Sequence, residues 1–276
     1  LVQYAAERYV TVVPEIDLPG HTNAALASYP SLNCDGVAPP LYTGTSVGFS
    51  TVCVEKEETY RFVTDVVRTL TEATPGGFFH LGGDEVKKLS EEQYAAFMER
   101  AQRIVADHGR RVVGWDEIAG VDLVPGTIVQ VWRPAEAATQ AQIRRAVEQG
   151  ATVVLSPADR VYLDMKYDDQ TVLGLAWAGT NSVRDAYDWD PLALLPGVTA
   201  SAIEGLEAPL WSETITTRAD LDYMAFPRLA GVAALAWAPA EQHDWDAYRL
   251  RLAAQAPRWT ALGINFRRDA SVPWVE

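Results

Sequence analysis

The sequence predicts an α/β protein built on a parallel sheet, and three observations carry that prediction. Short β-branched runs alternate with longer amphipathic stretches along the chain, the element order that gives a sheet with helices outside it. The runs are apolar throughout, as strands buried on both faces are. Polar or aromatic residues follow nearly every run: Glu15 and Asp17, Asp84 and Glu85, Trp115 with Asp116 and Glu117, Trp132, Tyr162 and Asp164, Trp211 and Glu213. A closed (β/α)8 barrel builds its active site at the C-terminal ends of its strands. An open doubly wound sheet concentrates such residues at one switch point. Both architectures are compatible with the periodicity, and the spread over many strand ends favours the barrel.

Tyr9–Ile16 (YVTVVPEI) reads as the first strand. Glu57–Thr74 has helical spacing, with Tyr60, Val63, Val66, Val67 and Leu70 on one face. Phe78–Leu81 reads as a strand, and Ser90–Ala106 as a helix whose Ser90 and Gln93 have capping-box spacing. Strands are expected at Arg111–Trp115 and Thr127–Val131, then a helix over Ala135–Glu148 that ends before Gly150. Thr152–Leu155 is the fifth expected strand, followed by a long polar and aromatic loop to about Trp189. Glu207–Trp211 is the sixth, and Ala219–Ala236 and Trp245–Trp259 read as closing helices. With no linker, charge block or short repeat, residues 1–276 are expected to form one domain. The chain opens on Leu1, at what reads as the end of a helix, so an N-terminal truncation is expected.

Hydrophobic residues make up 48% and charged residues 22% of the 276, an ordinary globular mixture. No apolar run approaches the roughly 20 residues of a membrane-spanning helix. The formal net charge of −14 repels phosphate backbones and anionic lipid alike. Nucleic acid and membranes are therefore poor partners, and a neutral substrate is expected. Nine tryptophans are many for this length, and carbohydrate sites use them because a flat ring stacks on the apolar face of a sugar. Cys34 and Cys53 enclose a stretch rich in glycine and proline. A disulfide there would stabilise the loop by roughly 3 kcal/mol and imply an oxidising compartment; two separate buried thiols are the alternative.

The sharpest stretch is Phe79-His80-Leu81-Gly82-Gly83-Asp84-Glu85. Neighbours in a strand point to opposite faces, so both acids reach one pocket only if the strand ends near Gly83 and the chain turns. The two glycines permit that turn. Two close carboxylates repel, leaving one protonated acid and one anion, the equipment for glycosidic bond cleavage. An Asp-Glu pair capping the next helix is the plainer alternative. A metal held by His80, Asp84 and Glu85 is disfavoured, because His80 lies a strand-length from the acids and no second histidine is spaced to help. Neither a metal nor another cofactor is expected.

Val13-Pro14-Glu15-Ile16-Asp17-Leu18-Pro19-Gly20-His21 and His80-Leu81-Gly82-Gly83-Asp84-Glu85 resemble the two signature stretches of family 20 glycoside hydrolases, the β-N-acetylhexosaminidases. The resemblance continues in order through Val113-Gly114-Trp115-Asp116-Glu117, Val131-Trp132, Ser156-Pro157 with Tyr162–Tyr167, Gly174–Gly179 and Glu207–Glu213, and it is nearest to secreted actinobacterial members. It implies removal of terminal β-linked N-acetylglucosamine or N-acetylgalactosamine from glycans or chitooligosaccharides, outside the cell, with retention. Such enzymes are substrate-assisted: the 2-acetamido oxygen is the nucleophile and closes an oxazolinium ion. The resemblance makes Glu85 the general acid and base, Asp84 the group that orients the acetamido nitrogen, and Tyr162 the donor to the acetamido oxygen. His21 would join a relay that sets the acid's pKa, with Glu15 and Asp17 orienting loops. Trp115, Trp132, Trp177 and Trp211 would wall the sugar pocket, and Asp164 and Glu213 would bind sugar hydroxyls. Trp189, Trp237, Trp245, Trp259 and Trp274 match no site position.

By this resemblance the chain supplies roughly strands 3–8 of a (β/α)8 barrel and their helices. The first two strands, which carry an arginine for the sugar and an aspartate that partners His21, would lie outside it, as would an N-terminal α/β domain. A non-catalytic carbohydrate-binding remnant and an endo-acting relative that releases a disaccharide are the alternatives.

Overall fold

The computed structural model describes residues 1–275. Strands β1 (Phe78–His80), β2 (Arg111–Trp115), β3 (Ile128–Val131), β4 (Thr152–Leu155) and β5 (Ile203–Leu206) form a sheet in chain order. The helices are α1 (Val2–Ala6), α2 (Asn23–Ser28), α3 (Glu57–Ala73), α4 (Glu91–Asp107), α5 (Ala137–Glu148), α6 (Ala158–Val161), α7 (Arg218–Ala225), α8 (Arg228–Trp237), α9 (Trp245–Ala253) and α10 (Ala256–Ala261). Strand-then-helix order with parallel pairing is the α/β class expected of part of a (β/α)8 barrel. No helix among the described residues is long and apolar enough to cross a membrane. The chain divides into two compact units, residues 1–130 with 135–153, and residues 131–134 with 154 onward.

In the first unit, β1 pairs with β2 and β2 with β3, with Phe79 opposite Val112 and Gly114 opposite Val129. Phe79, Leu81, Val112 and Val129 are buried, as the unbroken apolar runs require. Helix α3 turns Tyr60, Val63 and Val67 inward, and α4 turns Phe97, Met98, Ala101 and Val105 inward. The α4 capping box forms as its spacing predicts: Ser90 Oγ accepts from the Gln93 N–H and Gln93 Oε1 accepts from the Ser90 N–H. Cys34 and Cys53 are joined in a disulfide.

In the second unit, a cluster of Tyr167, Val183, Tyr187, Met224, Leu235, Tyr248, Leu252, Trp259 and Phe266 forms the main core. Tyr187 and Tyr248 stack with centroids 4.0 Å apart. Trp189, Trp245 and Trp274 pack against this cluster, whereas Trp237 is 90% exposed.

Four expectations need correction. Tyr9–Ile16 is not a strand: only Glu15 bridges to His80. Pro14 has no N–H to donate, and Tyr9 lies at φ 58, so the ladder shrinks to three bonds, Ile16 N–H to His80 O, His80 N–H to Pro14 O and Leu18 N–H to Leu81 O. The last strand is Ile203–Leu206 rather than Glu207–Trp211. The Glu207 N–H still bonds to Leu155 O, and Pro209 cannot continue the ladder. The described residues thus hold five strands, not six. The single helix expected over Ala219–Ala236 is two, because Pro227 breaks it between α7 and α8. Likewise Trp245–Trp259 is α9 and α10, the second opening with Pro257 in its first turn.

Candidate active site

In the first unit the turn after β1 is built from left-handed backbone: Gly82 at φ 69, Gly83 at φ 100 and Glu85 at φ 55. A Cβ on Gly82 would collide with the Asp17 carboxylate, so glycine is required there for space as well as for φ. Glu85 takes this conformation without that freedom, at a cost of about 1–3 kcal/mol. Its N–H is held by Glu117 Oε1 at 3.3 Å, and the preceding turn is held by the Tyr94 hydroxyl, which donates to Gly83 O at 2.7 Å. The result is the arrangement that two adjacent acids in a straight strand could not reach. Asp84 Oδ2 and Glu85 Oε2 each lie 3.3 Å from His21 Nε2. His21 is itself left-handed, at φ 54.

Asp17 completes the cluster. Its Oδ1 accepts from the Gly83 N–H at 3.1 Å, and its Oδ2 is 3.8 Å from His21 Nε2. Burial and the neighbouring Asp84 charge push the Asp17 carboxyl up to about 9. Burial would also raise Asp84, but hydrogen bonding to His21 and the imidazolium charge outweigh it and hold Asp84 below the usual carboxylate range. Hydrogen bonds to Asp84 and Glu85 raise His21 to about 10. At neutral pH the cluster therefore carries a protonated Asp17, an anionic Asp84 and a cationic His21. The protonated Asp17 carboxyl also donates a hydrogen bond to Asp84.

His80, on β1, accepts from the Gly82 N–H at Nδ1 (3.0 Å) and so donates from Nε2 to Gln130 Oε1 (3.1 Å). Burial holds its pKa down to about 4. Both ring nitrogens are engaged, so His80, Asp84 and Glu85 do not form a ligand set. Asp17, His21 and Asp84 bring one ligand-type atom each within 4.8 Å of one another, and the imidazole nitrogen among them already lies 3.3 Å from both Asp84 and Glu85. Trp115 is 3% exposed; its indole N–H donates to Glu15 Oε1 at 3.1 Å and its ring meets His80 edge-on.

The second unit holds the other expected residues. Tyr162 follows α6 and is buried. Its ring meets Trp177 at 5.7 Å and Trp211 at 6.3 Å, and Trp132 meets Trp177 at 5.9 Å, all edge-on. Trp177 and Trp211 remain 55% and 40% exposed, so flat aromatic surface is left for a ligand. Trp177 is carried by a loop that folds back on itself: Leu175 N–H bonds to Asp164 O, and the Lys166 N–H to Leu175 O. Gly174 (φ 90) permits that return, since a Cβ would collide with Asp164 O. Asp164 is 2% exposed. Burial raises it to about 6, partly offset by its own N–H and that of Trp211, which face it. Glu213 is exposed, and its charge adds to the rise.

By the sequence, Asp17 is a loop-orienting residue and Glu117 has no assigned role. Both hold the Asp84–Glu85 turn through backbone N–H groups. The only sequence signals were their positions in the PEID and WDE stretches.

The glycosyl hydrolase family 20 catalytic domain matches residues 1–95 and 87–240. A beta-N-acetylhexosaminidase of Cellulomonas fimi is 44% identical over 99% of this chain and 55% of its own length. A beta-hexosaminidase of Akkermansia muciniphila is 31% identical over 92% of this chain and 55% of its own length. The solved structure of the GH20 beta-N-acetylhexosaminidase from Streptomyces coelicolor superposes with a TM-score of 0.97 at 57% identity, covering 99% of this chain and 56% of that one. The chain spans about half the length of the relatives it matches. Its match to the catalytic domain runs from Leu1 through both carboxylates and the tryptophan-bearing segments, and the chain belongs to glycosyl hydrolase family 20.

Proposed function

We propose that the full-length protein is a retaining exo-β-N-acetylhexosaminidase that removes terminal β-linked N-acetylglucosamine or N-acetylgalactosamine by substrate-assisted catalysis. The carrying observation is the pairing of an anionic Asp84 with a neighbouring Glu85 on the same histidine. An anion beside the acid is placed to accept from an acetamido N–H and to act on positive charge that develops there.

In the first step the acetamido oxygen attacks the anomeric carbon while Glu85 protonates the glycosidic oxygen, and the bond to the leaving group breaks. The oxazolinium ion carries positive charge on its nitrogen, where the Asp84 anion stabilises it more than it stabilises the ground state. The Tyr162 hydroxyl would donate to the acetamido oxygen. In the second step Glu85 takes a proton from water, the water oxygen attacks the anomeric carbon from the face the leaving group vacated, and the ring opens with retention. Trp115, Trp132, Trp177 and Trp211 would line the sugar pocket, and Asp164 and Glu213 would accept from sugar hydroxyls. His21, cationic between the acids, would position both. The Cys34–Cys53 bridge supports an extracellular setting.

Hydrolysis of 4-nitrophenyl N-acetyl-β-glucosaminide by the full-length protein, with inhibition by a thiazoline mimic of the oxazolinium ion, tests the proposal. Sugar binding without turnover would assign it to carbohydrate binding instead, and release of a disaccharide from a longer glycan would make it endo-acting. A sugar trapped covalently on Asp84 or Glu85, seen by mass spectrometry, would overturn the substrate-assisted route.

A further inference from the structure

Arg228 opens α8 and is completely buried. It pairs with no carboxylate among the described residues. Nη1 donates to the carbonyls of Met165 (2.7 Å) and Asn181 (2.9 Å), and Nη2 to those of Leu163 (2.5 Å) and Met224 (2.9 Å). The guanidinium lies 3.7 Å over the Tyr167 ring. The Tyr167 hydroxyl donates to the carbonyl cluster of Tyr223, Met224 and Phe226 at the α7–α8 turn. One planar fork thus joins the start of α8 to both ends of the loop from 163 to 181.

A buried charge without a counter-ion is expensive, and a neutral residue of similar volume would fill the same space. Two of the four carbonyls, those of Leu163 and Met165, flank Asp164 on either side. Asp164 is the converse case, a buried carboxylate faced only by its own N–H and that of Trp211. The geometry points to Arg228 as a positioning residue for Asp164, fixing the backbone on both sides of that carboxylate and so the direction in which it meets the hydroxyls of a sugar. This rests on the reading of Asp164 as a hydroxyl acceptor. The positive charge behind the loop also favours the anionic form of Asp164, opposing the effect of burial and of Glu213. A planar five-donor fork can hold carbonyls on several segments at once, whereas a lysine ammonium offers three donors from one point.

The test is a double-mutant cycle in the full-length protein with the nitrophenyl N-acetylglucosaminide. Asp164→Asn alone should lower kcat/KM by roughly tenfold or more, since a charged acceptor is lost. Arg228→Lys should lower kcat/KM by ~10-fold, mainly through KM, and in the Asp164→Asn background the same change should have less than about a twofold effect. An equal loss in both backgrounds would show that Arg228 serves the fold alone and would overturn the inference. An unchanged kcat/KM in Asp164→Asn would overturn the hydroxyl-acceptor reading, and the inference with it. If Arg228→Lys does not fold, Tyr167→Phe replaces it. This change keeps the ring under the guanidinium but removes the hydroxyl that ties it to α7–α8, and its KM effect should likewise vanish when Asp164 is Asn. A Tyr167→Phe loss that persists there would count against the inference in the same way.

Discussion

The candidate groups of the first unit are charged and sit on strained backbone, while those of the second are mainly aromatic and sit on a packed, clamped loop. Around Asp84, positive φ at His21, Gly82, Gly83 and Glu85 brings three acids to one imidazole; Asp84 and Glu85 raise the proton affinity of His21, and burial with Asp84 raises that of Asp17. Around Tyr162, ring contacts and the four carbonyls on Arg228 set positions, and the strongly shifted carboxyl, Asp164, is moved chiefly by burial. Proton transfer needs coupled charges at short range, which only an awkward backbone can assemble from neighbouring residues. Recognition of a neutral ligand needs surface and open acceptors, which ordinary loops can carry if they are held still. Substitutions of the titrating groups in the first unit should therefore act on chemistry, and those in the second on binding.

The largest expected effect is at Glu85. In the full-length enzyme Glu85→Gln should slow substrates with poor leaving groups by roughly 10²–10⁴-fold. An aryl substrate with an acidic leaving group should suffer less in the glycosylation step, because it needs less protonation. Equal losses for both in that step, measured by single-turnover kinetics, would remove Glu85 from the acid role and the contrast with it.

Asp164 gives the counterpart in the second unit. Its pKa is raised from 3.8 to about 6 in the folded protein, so between those values the folded state binds the extra proton. Its contribution to stability is fully present below about pH 4 and is lost as pH rises through about 6, by up to about 3 kcal/mol. Asp17, raised in the same way, adds to the fall over that range, so urea unfolding between about pH 4 and 6 should show a shallower slope in Asp164→Asn than in the wild type. A slope unchanged in the variant would mean that another group is responsible.

Asp84→Ala should weaken a thiazoline inhibitor on the order of 10²-fold more than it weakens the N-acetylglucosamine product, because the anion acts on developing positive charge. Isothermal titration with both ligands separates this from general damage, which would weaken the two alike. The smallest effect compares two glycines of the first unit. Gly82→Ala should destabilise by about 1–3 kcal/mol and by more than Gly150→Ala. Gly150 has φ 91 but open space around its Cβ position, whereas a Cβ on Gly82 meets the Asp17 carboxylate. Equal losses in chemical unfolding would mean that Asp17 moves away freely and does not brace the turn.

Legible in the chain alone were the parallel α/β class, the strands at Arg111–Trp115 and Thr152–Leu155, the α4 cap and the need for a turn at Gly82-Gly83. Each depends on residues near one another in the chain, where periodicity, capping chemistry and glycine's freedom act locally. Proline placed the errors: Pro14, Pro209 and Pro227 end or thin elements that apolar periodicity alone carries through. What stands behind the named acids comes from packing between distant segments. Asp17 lies 67 residues before Asp84 in the sequence, and Arg228 lies 64 residues after Asp164. A buried carboxyl acquires its proton affinity from such distant neighbours, and an arginine finds four carbonyls only after the loops that carry them have packed, so neither role has a local pattern to read.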